Sequence, residues 1–294
     1  MEAKKIKIAS SFLLVALICS CSLNSKHFTT LDDLLRGDFL DFQHNNITRE
    51  YIIHIPDELP ENPPMVLMLH HYYGRAEQVM WYLQMNEIAE LNKFIVVYPQ
   101  GLRDDYGVLH WNSGTTASQV DDIGFLEELT NFIQIQYSVD PDRIFVGGIS
   151  NGGFMAYKLA CEKTEIFKAM ASVIGTMSKY SWDSCSPSRP ISVLQISSLD
   201  DDVVPISGIE LNEWGWGGAP EMDVIINFWK EFNQANNEHQ NNINDYTQSF
   251  HYKDGINSSQ VWYYKVDELG HDLPKENKHG INVADKFWEF FSQF

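Results

Sequence analysis

The residues of this chain best suited to chemistry are Gly148-Ile149-Ser150-Asn151-Gly152, which fit the pattern G-x-S-x-G. A serine on a strand-to-helix turn tight enough to expose its hydroxyl leaves no room for Cβ atoms two residues away, so glycines flank it. A neutral hydroxyl is a weak nucleophile. It needs a histidine base, and that base needs a carboxylate to fix its tautomer. With this kind of turn the acid and then the histidine follow the serine along the chain, an order met by Ser150, the cluster Asp200-Asp201-Asp202 and His271. Of the other histidines past the serine, His251 precedes the last expected strand and His279 lies at the start of the last helix, while His27, His44, His54, His70, His71 and His110 are upstream, in the wrong order. Three successive aspartates cannot all face one imidazole, and position alone favours none of them. The plain alternatives are a chance pattern, a surface histidine and a solvated acidic turn.

The elements that must position these groups are legible in the hydropathy pattern. Residues 143–147 read as a short buried strand, and from Asn151 onward Phe154, Met155, Tyr157, Leu159 and Ala160 recur at helical spacing. That helix aims backbone N–H groups and their partial positive charge at any anion formed beside Ser150. Upstream, 48–56 has a strand pattern, and 65–69 and 94–98 are apolar runs of the kind buried on both faces, with a helix between them over about 76–91. Asp121 and Asp122 open a long helix that ends near Tyr137, where they complement its dipole. Downstream, 167–174, 191–196 and 260–266 read as strands, and about 222–233 and 281–294 as helices. Residues 236–244, rich in asparagine, read as a solvated loop. Buried strands alternating with helices imply a mostly parallel sheet covered on both faces, an α/β fold with its ligand site at the carboxyl ends of the strands. Ser150, Asp201 and His271 each fall just after a strand.

Lys4, Lys5 and Lys7 precede the apolar run 8–18, which is shorter than the ~20 residues a membrane span needs. The run closes on Leu17-Ile18-Cys19-Ser20-Cys21, which resembles a bacterial lipoprotein signal. That resemblance implies cleavage and lipidation at Cys21, and an exported protein anchored at the cell envelope; ordinary secretion is the alternative. Residues 1–21 are then signal and lipidation site, 22–46 a tether, and 47–294 one catalytic domain. The formal net charge is −19, so nucleic acid and anionic head groups would be repelled, and contact with a membrane is expected only through the lipid. Removing Cys19 and Cys21 leaves Cys161 and Cys185, an even pair that in an exported chain is expected to form a disulfide, with two free thiols as the alternative. Adjacent His70-His71 lacks the H-x-x-x-H spacing of a metal site, and no metal or cofactor is expected. Trp111, Trp214 and Trp216 are candidates to line a substrate pocket, with packing as the alternative.

From residue 48 to the C-terminus the chain resembles the esterase family that includes extracellular polyhydroxybutyrate depolymerases, feruloyl esterases and lipoprotein-like esterases. The resemblance runs through Val97-Tyr-Pro-Gln-Gly-Leu102, Trp111-Asn-Ser-Gly114, Val120-Asp-Asp-Ile-Gly-Phe125 and Val139-Asp-Pro-Asp-Arg143. It continues through the serine block, Leu159-Ala-Cys-Glu162, Cys185-Ser-Pro-Ser-Arg-Pro190 and Phe287-Trp-Glu-Phe-Phe291. It implies an α/β-hydrolase fold without a metal, and a small ester or an ester-decorated polymer as substrate. The family's His-Gly-Thr-x-Asp-x-x-Val-Pro, laid over 197–205, places its aspartate on Asp201. Its Gly-Gly-Gly-His-x-Trp-Pro, laid over 268–274, selects His271. The oxyanion hole implied is the N–H of Asn151 with that of Tyr72. The sequence departs at His70-His71, where His-Gly is usual, at Tyr73 for a glycine, and at Ser197-Ser198-Leu199. The rivals are a peptidase of the same fold and a catalytically silent surface-binding lipoprotein.

Overall fold

Alternation along single strands sets the architecture. In β3 (Met65–Leu69) every residue is buried. Met65, Leu67 and Leu69 enter one core while Val66 and Met68 enter the other, as a strand covered on both faces requires. The computed structural model describes residues 39–114, 118–210 and 217–294. Their strands form one sheet in the order β1-β2-β4-β3-β5-β6-β7-β10-β9-β8. The named strands are β1 (Leu40–His44), β2 (Ile47–His54), β4 (Ile95–Pro99), β5 (Ile144–Ile149), β6 (Ala169–Val173), β7 (Ser192–Ser198), β8 (Asn237–Asn244), β9 (Thr247–Lys253) and β10 (Val261–Val266). From β4 to β10 neighbouring strands are parallel, and antiparallel strands flank them at both ends.

Helices cover both faces. α1 (Ala76–Leu83), α2 (Met85–Asn92) and α8 (Val283–Phe291) pack on the side of Val66 and Met68. α3 (Asp122–Tyr137), α4 (Asn151–Glu162) and α6 (Met222–Asn233) pack on the other. The shorter α5 (Lys179–Ser184) and α7 (Glu276–His279) lie in connections. Cys161, near the end of α4, is joined to Cys185, just after α5, by a disulfide.

Three sequence expectations are corrected. Part of the 22–46 tether is β1, whose Phe42 ring lies 6.0 Å from Phe125 and 5.6 Å from Phe132 on α3. The single helix over 76–91 is two: Gln84 turns left-handed (φ 53°) and its N–H caps α1 on Met80 O. The asparagine-rich loop is β8, an exposed edge strand paired with β9. A strand almost wholly polar on both faces carries no hydropathy signal; the ladder with β9 holds it, with Ile243 packed on the core and Asn244 Nδ2 donating to Lys278 O at 3.0 Å.

Candidate active site

Ser150 stands between β5 and α4, with φ 50° and ψ −116°. A serine is strained at such a φ, and the surroundings enforce it. Ser150 N–H donates to Val173 O at 2.9 Å. A Cβ on Gly148 would lie 2.2 Å from the Gly152 backbone, and one on Gly152 would lie 2.3 Å from Leu69 O. The turn closes only because both are glycine.

Asp201 follows β7 and His271 follows β10. These strands are parallel neighbours, so their carboxyl ends bring the two loops together. Ser150 Oγ lies 3.0 Å from His271 Nε2, and His271 Nδ1 lies 2.8 Å from Asp201 Oδ2. The buried Asp201 accepts on its other oxygen from the N–H groups of Val203 and Val204, at 2.9 and 2.8 Å. The imidazole therefore donates from Nδ1 and presents Nε2 to the serine. Asp200 binds backbone instead of imidazole. Its Oδ1 accepts from Leu269 and Gly270 N–H, both at 3.0 Å, and from Ser198 Oγ. The Gly270 amide, the Ser198 hydroxyl and the Leu269 amide hold its carboxyl down at about 2. Asp200 thus anchors the backbone leading into His271, a role that reading the cluster as a solvated turn missed. Asp202 is exposed.

A longer chain of contacts supports the turn from the other side. Asn151 Oδ1 accepts from Trp111 N–H at 2.7 Å, and Asn151 Nδ2 donates to Trp111 O at 3.0 Å. Asn112 N–H donates to Asp122 Oδ2 at 2.7 Å, and Asp122 Oδ1 meets buried Arg49 at 2.6 Å. Asp122 is therefore an ion-pair partner and a loop clamp as well as part of the first turn of α3. Asp121 caps that helix, accepting from Gly124 N–H at 2.9 Å.

The segment 70–74 after β3 is held by a buried histidine. His70 Nδ1–H donates to His71 O at 2.8 Å, while Nε2 accepts from Gly101 N–H at 2.9 Å and lies 3.0 Å from Gln100 Nε2. This pattern requires a neutral ring, and burial lowers the His70 pKa to about 3. Gly74 N–H also donates to His71 O, and Tyr73 N–H to Leu109 O at 2.9 Å. The Tyr72 phenol donates to Asp104 Oδ2 at 2.7 Å. Tyr72 N–H has no backbone acceptor among the described residues. The N–H of Asn151, the first of α4, likewise has no intrahelical partner.

Trp111 does not line the pocket. It is fully buried, its Nε1–H donates to His70 O at 3.0 Å, and its ring lies 4.8 Å from that of His70. Trp214, Trp216 and Cys21 lie outside the described residues. The cavity at Ser150, about 470 Å³, is lined instead by His71, Tyr72, Tyr73, Tyr82, Ile149, Ile174, Val203, His271, Asp272 and Leu273. Sequence reasoning missed its aromatic wall. Tyr72 and Tyr73 follow β3 and were visible for that reason, but Tyr82 comes from α1 and carries no local signal.

The chain is similar to several known proteins. The profile of the prolyl oligopeptidase family matches residues 111–207, which contain Ser150 and Asp201. Feruloyl esterase B of Thermothelomyces thermophilus is 28% identical over 137 residues, covering 46% of this chain and 47% of that protein. Acetylxylan esterase A of Aspergillus oryzae is 25% identical over 177 residues, covering 57% of each. The matched stretch thus spans about half the length of these relatives. Among solved structures, an acetyl xylan esterase from Aspergillus awamori superposes with a TM-score of 0.66 at 15% identity, over 87% of this chain and 99% of that one. The fold is that of the α/β-hydrolases, and the chain is similar to their feruloyl and acetylxylan esterases.

Proposed function

We propose that the chain is a serine carboxylic-ester hydrolase that works through an acyl-enzyme. The observation that carries this is the continuous relay from Ser150 Oγ through His271 to Asp201, at 3.0 and 2.8 Å. His271 Nε2 takes the hydroxyl proton as Oγ attacks the ester carbonyl. Asp201 stabilises the imidazolium and keeps it oriented, and the N–H groups of Asn151 and Tyr72 hold the oxyanion. His271 then gives its proton to the leaving alcohol. Water, activated by the same imidazole, clears the acyl group.

The substrates that fit are feruloyl or acetyl esters on a polysaccharide, a short polyhydroxyalkanoate or a small carboxylic ester. The named relatives favour the first. The match to the prolyl oligopeptidase family keeps a peptidase as a second reading, which would cleave anilides as well as esters. We place the protein outside the cytoplasm, lipid-anchored through Cys21 at the cell envelope; a Cys21→Ala chain that still takes up palmitate would end that reading. Ser150→Ala should lose ~10⁶ in kcat on a p-nitrophenyl acyl ester and should no longer label with a fluorophosphonate probe. Full activity in that variant removes the proposal, and an unreactive Ser150 in the parent leaves the silent surface protein.

A further inference from the structure

The cavity over Ser150 has two sides. His71, Tyr72 and Tyr73 follow β3, whereas Ile174, Val203 and the 271–273 loop follow β6, β7 and β10, and β5 with Ser150 lies between them. Most polar side chains on its wall are already engaged. Ser150 and His271 belong to the relay, the Tyr72 phenol donates to Asp104, and Asp272 Oδ1 accepts from Leu273 N–H at 2.8 Å. Tyr73 and Tyr82 are open to water, at 71% and 46% exposed. His71 differs from all of these. It is half-buried, and its ring makes no hydrogen bond among the described residues; only its carbonyl is used, by His70 Nδ1–H and Gly74 N–H. Neighbours bound the ring on both sides: it lies 6.1 Å from the Tyr82 ring, and a Cβ on Gly74 would come within 2.9 Å of its Nδ1. Burial and the nearby His271 lower its pKa, so at neutral pH the ring is uncharged, with one N–H to donate and one nitrogen to accept.

We propose that His71 selects the acyl group: the cavity prefers esters whose acyl chain carries an uncharged oxygen, an ether or a hydroxyl, over hydrocarbon chains of the same size. The inference rests on the serine-hydrolase reading. His271 hands its proton to the leaving alcohol, which places the alcohol toward β7 and β10. The group that stays on Ser150 then meets the β3 side, where His71 stands. A hydrocarbon chain there would strip water from the imidazole and replace none of its hydrogen bonds, while an oxygen accepts from its N–H. An anionic acyl group is a poorer partner, since its carboxylate would face Asp272 on the same wall, in a chain of net charge −19. The feature is particular to this chain. Where the family it resembles carries His-Gly, the sequence has His70-His71, and a glycine offers a substrate no side chain.

The test compares isosteric acyl chains on p-nitrophenol: methoxyacetate against butyrate, and 3-methoxypropanoate against pentanoate. Each pair exchanges one methylene for one oxygen, and intrinsic reactivities cancel when a variant is compared with the parent. His71→Leu should lower the ether-to-hydrocarbon ratio of kcat/KM by about tenfold in at least one pair, with the melting temperature unchanged. His71→Gln, which keeps a donor, should keep most of the ratio. Unchanged ratios in both pairs, including a fall shared equally by every ester, would overturn the assignment. Ser150→Ala separates the two levels. If it loses activity on every ester while His71→Leu keeps the parent's ratios, the hydrolase reading stands and the role of His71 falls. If Ser150→Ala hydrolyses the esters as the parent does, both fall.

Discussion

The turn carrying Ser150 and the segment carrying Tyr72 end the adjacent parallel strands β5 and β3, yet they are held by different means. The serine turn is fixed by absent atoms: side chains at 148 and 152 would collide with backbone at 2.2 and 2.3 Å. The 70–74 segment is fixed by groups that reach it from elsewhere, namely the buried His70 ring, Gly101 N–H, Leu109 O and Asp104. Steric closure is written in the local sequence, whereas a scaffold of side-chain hydrogen bonds becomes visible only in three dimensions. The first arrangement should be indifferent to pH. The second should depend on a histidine staying neutral.

The largest expected effect lies on the serine side. Asp201→Asn should lower kcat by ~10⁴ with the fold intact, because an amide there favours the wrong imidazole tautomer. Asp202→Asn, one residue on and exposed, should leave kcat unchanged. Steady-state kinetics on a p-nitrophenyl ester check both. Equal losses at 201 and 202 would show that the loop's charge matters and not the contact with His271.

The same division explains what the sequence revealed. Strands buried on both faces, such as β3 and β4, and the G-x-S-x-G turn are local signals and lie where they are expected. So do the loops after β7 and β10, because topology alone sends them to one rim. The choice of Asp201 from three aspartates came only by resemblance, since it depends on which carboxyl turns inward toward Val203 and Val204 N–H. Trp111 is the instructive failure. Its type suggested a pocket wall, but its indole N–H is spent on His70 O, a partner 41 residues away that no local pattern encodes. The strand β8 was missed for the opposite reason, since nothing on it is buried enough to leave a pattern.

A second, smaller effect should separate the two regions by pH. The folded pKa of His70 is about 3, against ~6.5 for a histidine in the unfolded chain. Between these values the unfolded chain binds a proton that the folded chain refuses. The stability contributed by the neutral ring is therefore complete above pH ~6.5 and lost as pH falls toward 3, by roughly 3 kcal/mol between pH 7 and 4.5. His251, lowered to about 4 by burial, adds to the same window. Urea unfolding at the two pH values should show a smaller acid loss in His70→Gln than in the parent, even though that variant starts less stable. Identical losses would mean that the 70–74 segment is not acid-sensitive through His70.

The smallest effect tests how finely that segment must be placed. Removing an oxyanion donor outright costs ~10²–10³ in kcat, while loosening one should cost less. Tyr72→Phe keeps the ring against the cavity and deletes only the phenol that ties it to Asp104. We expect kcat to fall about tenfold with KM nearly constant, the signature of an interaction made in the transition state. Asp104→Ala should cost at least as much, because it removes that contact together with the bonds that Asp104 Oδ1 accepts from the N–H groups of Tyr106 and Val108, both at 2.9 Å. A rise in KM at constant kcat would instead place the phenol against the substrate. The N–H of Tyr72 would then owe its position to His70 and to the bond from Tyr73 to Leu109 alone.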